Sequence, residues 1–382
     1  MCAEMSIDAK VYPSSDGSKL SMTDMLEYFE KHGAMRVSDL HIKVGAVPVY
    51  RIDGQLVKMK GAVITDQLAE TLIYPLIGPK HLETLKNKTS VDCSYRFGSL
   101  QFRINVFIEN DGIAAAIRAL GIDIPKVEDI GFPNSTWRDL VRRKQGLVLF
   151  TGITGAGKST TIASVIERIN ENRACRIITI EDPIEYLFTQ RNSMISQREV
   201  GRDVDSFSHG LRSMMRQDPD VIFVGEMRDA ETVSMTLAAA ETGHLVFSTL
   251  HTRDVVGSIT RVLDFFQTGR QAEVRNQLSL GLAYVVSQKL IPRKDGDGRV
   301  VAMEILNNNY AIANLIRTGK VEQIYSQLQI KTKDQPDERM ITLERHLARL
   351  VKTGVINLLE AQKWANDPKC FIDAMNSEVE IS

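Results

Sequence analysis

Gly152-Ile153-Thr154-Gly155-Ala156-Gly157-Lys158-Ser159, followed by Thr160, has the residue types and spacing of a loop that wraps phosphate. Glycines at fixed positions let successive backbone N–H groups turn inward, and a helix beginning near Lys158 would aim its positive dipole end at the same point. Lys158 would then reach the β and γ phosphates of ATP, and Ser159 would offer a hydroxyl to Mg2+, a cation that takes oxygen ligands. A glycine-rich surface turn is the bland alternative. Against it stand the flanks: a short apolar run over 145–151 before the loop and a helical repeat over 160–169 after it.

Binding a triphosphate is not yet hydrolysis, which also needs carboxylates at the ends of neighbouring strands. Glu181, Asp182 and Glu185 cluster around Pro183 after the apolar run 176–180, and the run 221–224 delivers Glu226 at its carboxyl end in the manner of a Walker B element. Such an acid can hold the water shell of Mg2+ or polarise an attacking water. In isolation each acid reads as a solvated loop charge; at a strand end downstream of a phosphate loop it reads as part of the site. His244 and His251 bracket another apolar run. Their chemistry alone favours core or capping roles, with sensing of the γ-phosphate as the other reading; metal ligation is disfavoured because neither a Cys nor a third His is near in sequence.

The elements that must position these groups follow from periodicity. Residues 1–19 are polar and expected to be disordered. Between about 20 and 120 a short helix (22–32), alternating segments (40–44, 48–52, 55–59), two helical stretches (66–77, 79–86) and a meander (93–97, 100–108, 113–119) predict a small α+β domain. Residues 121–133, rich in Gly, Pro and Asp, read as a linker. From 134 to 382 strands alternate with helices, which predicts an α/β fold, a parallel sheet wrapped by helices in a RecA-like core. Its last third is expected to be mostly helical, with one strand near 300–306.

Composition narrows the class. At 382 residues the chain exceeds what one core organises. With 43% hydrophobic residues and 47 basic against 48 acidic side chains it reads as globular, without the global charge that favours nucleic acid or an anionic membrane. A translocase on nucleic acid would show a basic stripe or a stacking platform, and neither is evident, so no nucleic-acid partner is expected. Four scattered cysteines with no C-x-x-C pair fit a reducing cytosol, and neither a signal peptide nor a membrane-spanning run is apparent.

Four motifs in order, the phosphate loop, Ile180-Glu181-Asp182-Pro183-Ile184-Glu185-Tyr186, Val224-Gly225-Glu226 and the box from Glu241 through Thr252, resemble those of the type II/type IV secretion ATPase superfamily, with the spacing of its pilus-retraction, PilT-like branch. The likeness covers about residues 22–352. It implies a homohexameric motor in the cytoplasm that hydrolyses ATP to disassemble a type IV pilus, held peripherally at the inner membrane through a platform protein. By position, Glu185 matches the family's catalytic glutamate, Glu226 its Walker B glutamate and Mg2+ support, and His244 and His251 its His-box histidines. Ser38-Asp39-Leu40-His41 resembles the entry strand of a PAS-like amino-terminal domain. Arg103 and Arg118 match arginines that the family uses at the nucleotide, although read bare they are solvated edge charges.

Assembly-type relatives commonly carry an extra amino-terminal domain and a four-cysteine zinc loop; neither is expected here, and by that resemblance the retraction branch is favoured. One departure stands out: Ala311-Ile312-Ala313-Asn314-Leu315-Ile316-Arg317 lacks the first arginine of the branch's A-I-R-N-L-I signature. Either the chain resembles an accessory motor that works with a second retraction ATPase, or Arg317, one helical turn on, supplies the charge.

Overall fold

The computed structural model describes residues 6–33, 36–98, 100–120, 124–296, 298–334 and 339–377. They cluster into two compact units. Unit 1 runs to Ile124 and also takes in Glu181–Leu187 and Gln197–Ser206; unit 2 holds Pro125–Ile180, Phe188–Ser196 and the chain from Phe207 onward.

Unit 1 begins with two short strands, β1 (Tyr12–Pro13) and β2 (Lys19–Leu20), which pair antiparallel. The expectation of disorder up to Lys19 therefore fails for the described part of that stretch, because Tyr12 is fully buried and anchors it. The helix Met22–His32 starts at a reciprocal cap in which the Ser21 hydroxyl accepts from Asp24 N and the Asp24 carboxylate accepts from Ser21 N. Then come β3 (Val37–Lys43), β4 (Val49–Ile52) and β5 (Gln55–Lys58). Asp53 and Gly54, with φ of 48° and 81°, supply the left-handed pair that a two-residue hairpin turn needs between β4 and β5. Helices Asp66–Ile73 and Pro79–Lys88 precede the meander β6 (Ser90–Phe97), β7 (Leu100–Glu109) and β8 (Gly112–Leu120). The sheet order is β5-β4-β3-β8-β7-β6. One face carries the core, where Phe29 meets Phe102 edge-on at 5.1 Å. The other carries the polar residues that alternate with it.

Unit 2 is an α/β sheet. Its strands are β9 (Gly146–Thr151), β10 (Arg176–Glu181), β11 (Met194–Glu199), β12 (Val221–Val224), β13 (Leu245–Leu250), β14 (Leu282–Pro292) and β15 (Arg299–Asn307), with Glu181 at the end of β10 and Gln197–Glu199 at the end of β11 grouped with unit 1. They order as β11-β10-β12-β13-β9-β14-β15. The run from β10 through β14 is parallel, and β15 returns antiparallel along β14. Every residue of β9, β12 and β13 is buried, as strands covered on both faces require. β14 departs from the expected helical last third. Its apolar start, Leu282–Val286, fits a buried helix or a buried strand equally by periodicity, and pairing with β9 decides for strand. Among the described residues five α-helices follow β15, including Tyr310–Thr318 and Leu343–Lys352.

Residues 121–123 of the expected linker lie outside the described residues, while Val127 within it is buried. The acidic segment after β10, expected with the ATPase domain, belongs to unit 1, because Gln197 and Glu199 bond it there.

Among the described residues the buried Tyr12 hydroxyl has no hydrogen-bond partner. Such a group costs roughly 1–3 kcal/mol. Tyr12→Phe should raise the thermal midpoint of unit 1 in calorimetry and Tyr12→Ala should lower it; a lowered midpoint in Tyr12→Phe would contradict this account of the core.

Candidate functional site

The phosphate loop leaves β9 at Thr151 and turns at Gly152, where φ is 144° and a Cβ would lie 2.5 Å from the Gln288 carbonyl oxygen. No side chain fits there. Gly157, at φ 83°, is the N-cap of the helix Lys158–Asn172 and takes a left-handed conformation that favours glycine. Ile153, Thr154 and Gly155 are exposed, Ala156 is buried, and Ser159 and Thr160 sit half-buried on the first helical turn. Lys158 is 8% exposed, and its Nζ donates to Gly152 O (2.8 Å) and Ile153 O (3.1 Å). The loop thus holds its own cation at the place where an anion would be bound.

Sequence reasoning missed what supports this loop. Gln288 on β14 is buried and donates from Nε2 to Ala156 O at 2.6 Å, while Ser287 donates to Arg253 O at 3.1 Å. Glu304, opposite Ser287 on β15, accepts from Val255 N at 3.2 Å. Burial pushes the Glu304 carboxyl up to about 8, with Glu344 and Asp254 adding to the rise against the Val255 hydrogen bond. One strand pair therefore braces both the phosphate loop and the segment after His251. The only signal was the polar Ser287-Gln288-Lys289 inside an apolar run.

Glu226 leaves the end of β12 through a turn fixed from both sides. Gly225 N donates to Ile180 O (2.8 Å), the Thr249 hydroxyl to Gly225 O (2.6 Å) and Met227 N to Thr249 O (3.3 Å). The Glu226 side chain is 14% exposed; one oxygen pairs with Arg228 and the other lies 3.5 Å from His251 Nε2. Burial lowers the His251 pKa, and the charges of Lys158 and Arg228 lower it further against the pull of Glu226. His251 is accordingly neutral at pH 7, and Lys158, Glu226 and His251 form one electrostatic group.

His244 does not join them. It precedes β13, its backbone carbonyl accepts from Gly146 N at the start of β9, and its Nδ1–H donates to Ala239 O at 2.9 Å. Because β9 and β13 run parallel, His244 lies at the start of its strand, at the edge opposite the phosphate loop.

In unit 1 the strand registers place Leu56, Arg51, Asp39, Arg118, Arg103 and Ser94 opposite one another in a single row across all six strands. Arg118 Nε bonds Asp39 Oδ1 at 2.7 Å, yet its side chain is 65% exposed. Arg103, 3.8 Å from Asp92, faces Arg118 directly across the strands, and like charges so placed are destabilising. Burial works to raise the Asp39 carboxyl, but hydrogen bonds from Ser38 and Arg118, with the Arg118 charge, outweigh it and hold it below the ordinary value. Glu185 also belongs to unit 1, half-buried in the segment Glu181–Leu187.

The family model described as "Type II/IV secretion system protein" matches residues 34–353. The chain is 40% identical to the type IV pilus retractation ATPase PilT of Pseudomonas aeruginosa, over 92% of this chain and 100% of that one. It is 34% identical to the type IV pilus ATPase PilU of the same organism, over 86% and 85%. Among solved structures, the pilus retraction motor PilT with bound ADP superposes with a TM-score of 0.81 at 42% identity, covering 93% of this chain and all of that one. The ATPase DotB of Legionella pneumophila gives 0.80 at 26% identity, covering 90% and 94%.

Gln288→Leu keeps the volume of the side chain while removing its bond to the loop. A buried hydrogen bond lost with its partner left unpaired costs about 1–3 kcal/mol, so nucleotide affinity in a titration should fall by roughly tenfold. Unchanged affinity would show that β14 does not shape the loop.

Proposed function

The chain belongs to the type II/IV secretion system protein family, and on that premise we propose that it is the ATP-driven motor of type IV pilus retraction. It is an ATPase. The observation that carries the reading is the group at the carboxyl ends of β9, β12 and β13: Lys158 and Ser159 on the phosphate loop, Glu226 beside His251, and a cradle at Gly152 that excludes a side chain.

In this reading unit 2 is a RecA-like core and the sheet of unit 1 a PAS-like domain. Backbone N–H groups of the loop and Lys158 take the phosphates of ATP, Lys158 exchanging the carbonyls of Gly152 and Ile153 for phosphate oxygens. The donor set fits Mg2+, for which Ser159 supplies a hydroxyl and Glu226 a carboxylate; when bound, the ion neutralises charge on the phosphate oxygens. Glu185 accepts the proton of the water that attacks the γ-phosphorus, the bond to the β–γ bridging oxygen breaks, and ADP carries the released charge. His251, neutral and next to Glu226, registers the γ-phosphate. Arg103 and Arg118 of a neighbouring subunit offset transition-state charge, which is supported by their exposure and mutual opposition in unit 1. A homohexamer would convert loss of the γ-phosphate into rotation between units, and so into movement of an inner-membrane platform protein that holds the motor peripherally from the cytoplasm.

Ala313 favours a second reading, an accessory motor that works beside another retraction ATPase. It lies on the helix Tyr310–Thr318 four residues before the exposed Arg317, whose guanidinium donates to Asn314 Oδ1 at 3.0 Å. A charge at Arg317 is thus available on the same helix face, and the main-motor reading stands first.

Two experiments check this. Glu185→Gln should bind ATP with wild-type affinity and turn over at least about 100-fold more slowly; near-normal turnover would remove Glu185 from the reaction. In a strain whose only copy carries Lys158→Ala, twitching should be lost and surface pili should be in excess. Loss of pili instead would mean that the chain works in assembly.

A further inference from the structure

Glu199 is a buried carboxylate with no part in the chemistry described so far. It is 1% exposed at the end of β11, and all of its described partners lie in unit 1. Its Oε1 accepts from Ser94 N at 3.1 Å, while its Oε2 accepts from the Ser94 hydroxyl and, at 3.2 Å, from Ile184 N. Three donors converge on one carboxylate. Ser94 stands opposite Arg103 in the row that crosses the sheet, and Ile184 immediately precedes Glu185.

The far side of Glu185 is held as well. Gln197, two residues before Glu199 and so on the same face of β11, donates from Nε2 to Tyr186 O at 2.7 Å. The residues before and after Glu185 are thus gripped through their backbone by two side chains of one strand. The strand end is itself closed: Val200 N donates to Glu181 O (2.9 Å), Glu199 N to Asp203 Oδ2 (2.8 Å), and Arg202 pairs with Asp203 (2.9 Å) and donates to the Ser94 hydroxyl (3.3 Å).

From this geometry we infer that Glu199 is a positioning residue that locks the backbone of Glu185 to the arginine-bearing sheet, with Gln197 as the second jaw of the clamp. Glu185 and the row containing Arg103 and Arg118 then move as one body. Only an ionised carboxylate meets the demand at Glu199, because it accepts at both oxygens and brings no donor. An amide of the same size keeps one acceptor and turns an N–H2 group toward N–H or O–H donors. The inference rests on the assignment of Glu185 as the base.

The test is steady-state ATPase kinetics of the full-length oligomer carrying Glu199→Gln, Glu185→Gln or both, alongside binding of a non-hydrolysable ATP analogue. Misplacing a catalytic group by about 1 Å costs on the order of 100-fold. Glu199→Gln should therefore lower kcat by at least about tenfold while KM and analogue binding stay at wild-type values, and the double variant should be no slower than Glu185→Gln alone. Ser94→Ala, which removes one of the three donors and leaves the backbone bonds, serves as a milder variant if Glu199→Gln does not fold, and should lower kcat in the same pattern by a smaller factor.

A Glu199→Gln enzyme with kcat within twofold of wild type, or a double variant slowed multiplicatively, would overturn the inference. So would a loss in kcat that tracks only the folded fraction. If Glu185→Gln itself keeps normal turnover, the fault lies with the assignment of the base, and the two failures are told apart by that single variant.

Discussion

The pairing of β9 with β13 is the constraint on which the site depends. The two strands run parallel and in register from Gly146 opposite Leu245 to Thr151 opposite Leu250. Because the register is fixed by fully buried residues on both faces, a slip of one residue would turn every one of them over. The phosphate loop must begin where β9 ends, and His251 must follow where β13 ends, so the two emerge side by side. β12 pairs with β13 from Val221 opposite Leu245 to Val224 opposite Ser248 and brings Glu226 to the same edge. The same rule sends His244 to the other edge. The two histidines of one short motif are thus separated by the length of the strand between them.

Much of this was legible in the sequence because the motifs carry their own geometry. A glycine at 152 that tolerates no Cβ, a lysine at the first turn of a helix and an acid just after a buried strand each state where they must sit. The alternation of strands and helices stated the rest. What was not legible depends on contacts far apart in the chain. β14 reads as a helix or a strand until it is seen beside β9. The roles of Gln288, Ser287 and Glu304 exist only because β14 and β15 pass beneath loops more than a hundred residues or some fifty residues earlier. Tyr12 lies in a polar stretch whose composition favours disorder, and one buried ring overrides it.

The division into two units is also a tertiary fact. Residues Glu181–Leu187 continue β10 of unit 2 in sequence but belong to unit 1, held by Glu199 and Gln197. Sequence order assigned Glu185 to the body with the phosphate loop, whereas hydrogen bonding assigns it to the body with the arginines. Arg103 and Arg118 lie opposite each other on neighbouring strands of that body, each with one carboxylate of the same sheet beside it, Asp92 and Asp39.

The central claim is that turnover requires the loop of one subunit and the arginines of another. It is tested most directly by mixing subunits carrying Lys158→Ala with subunits carrying Arg118→Ala and measuring ATP hydrolysis after exchange. Each variant alone is expected to be nearly inactive, and the mixture should recover a substantial fraction of wild-type activity, because some sites then join an intact loop to an intact arginine. A mixture no more active than the sum of its parts, with exchange of subunits verified, would contradict the account.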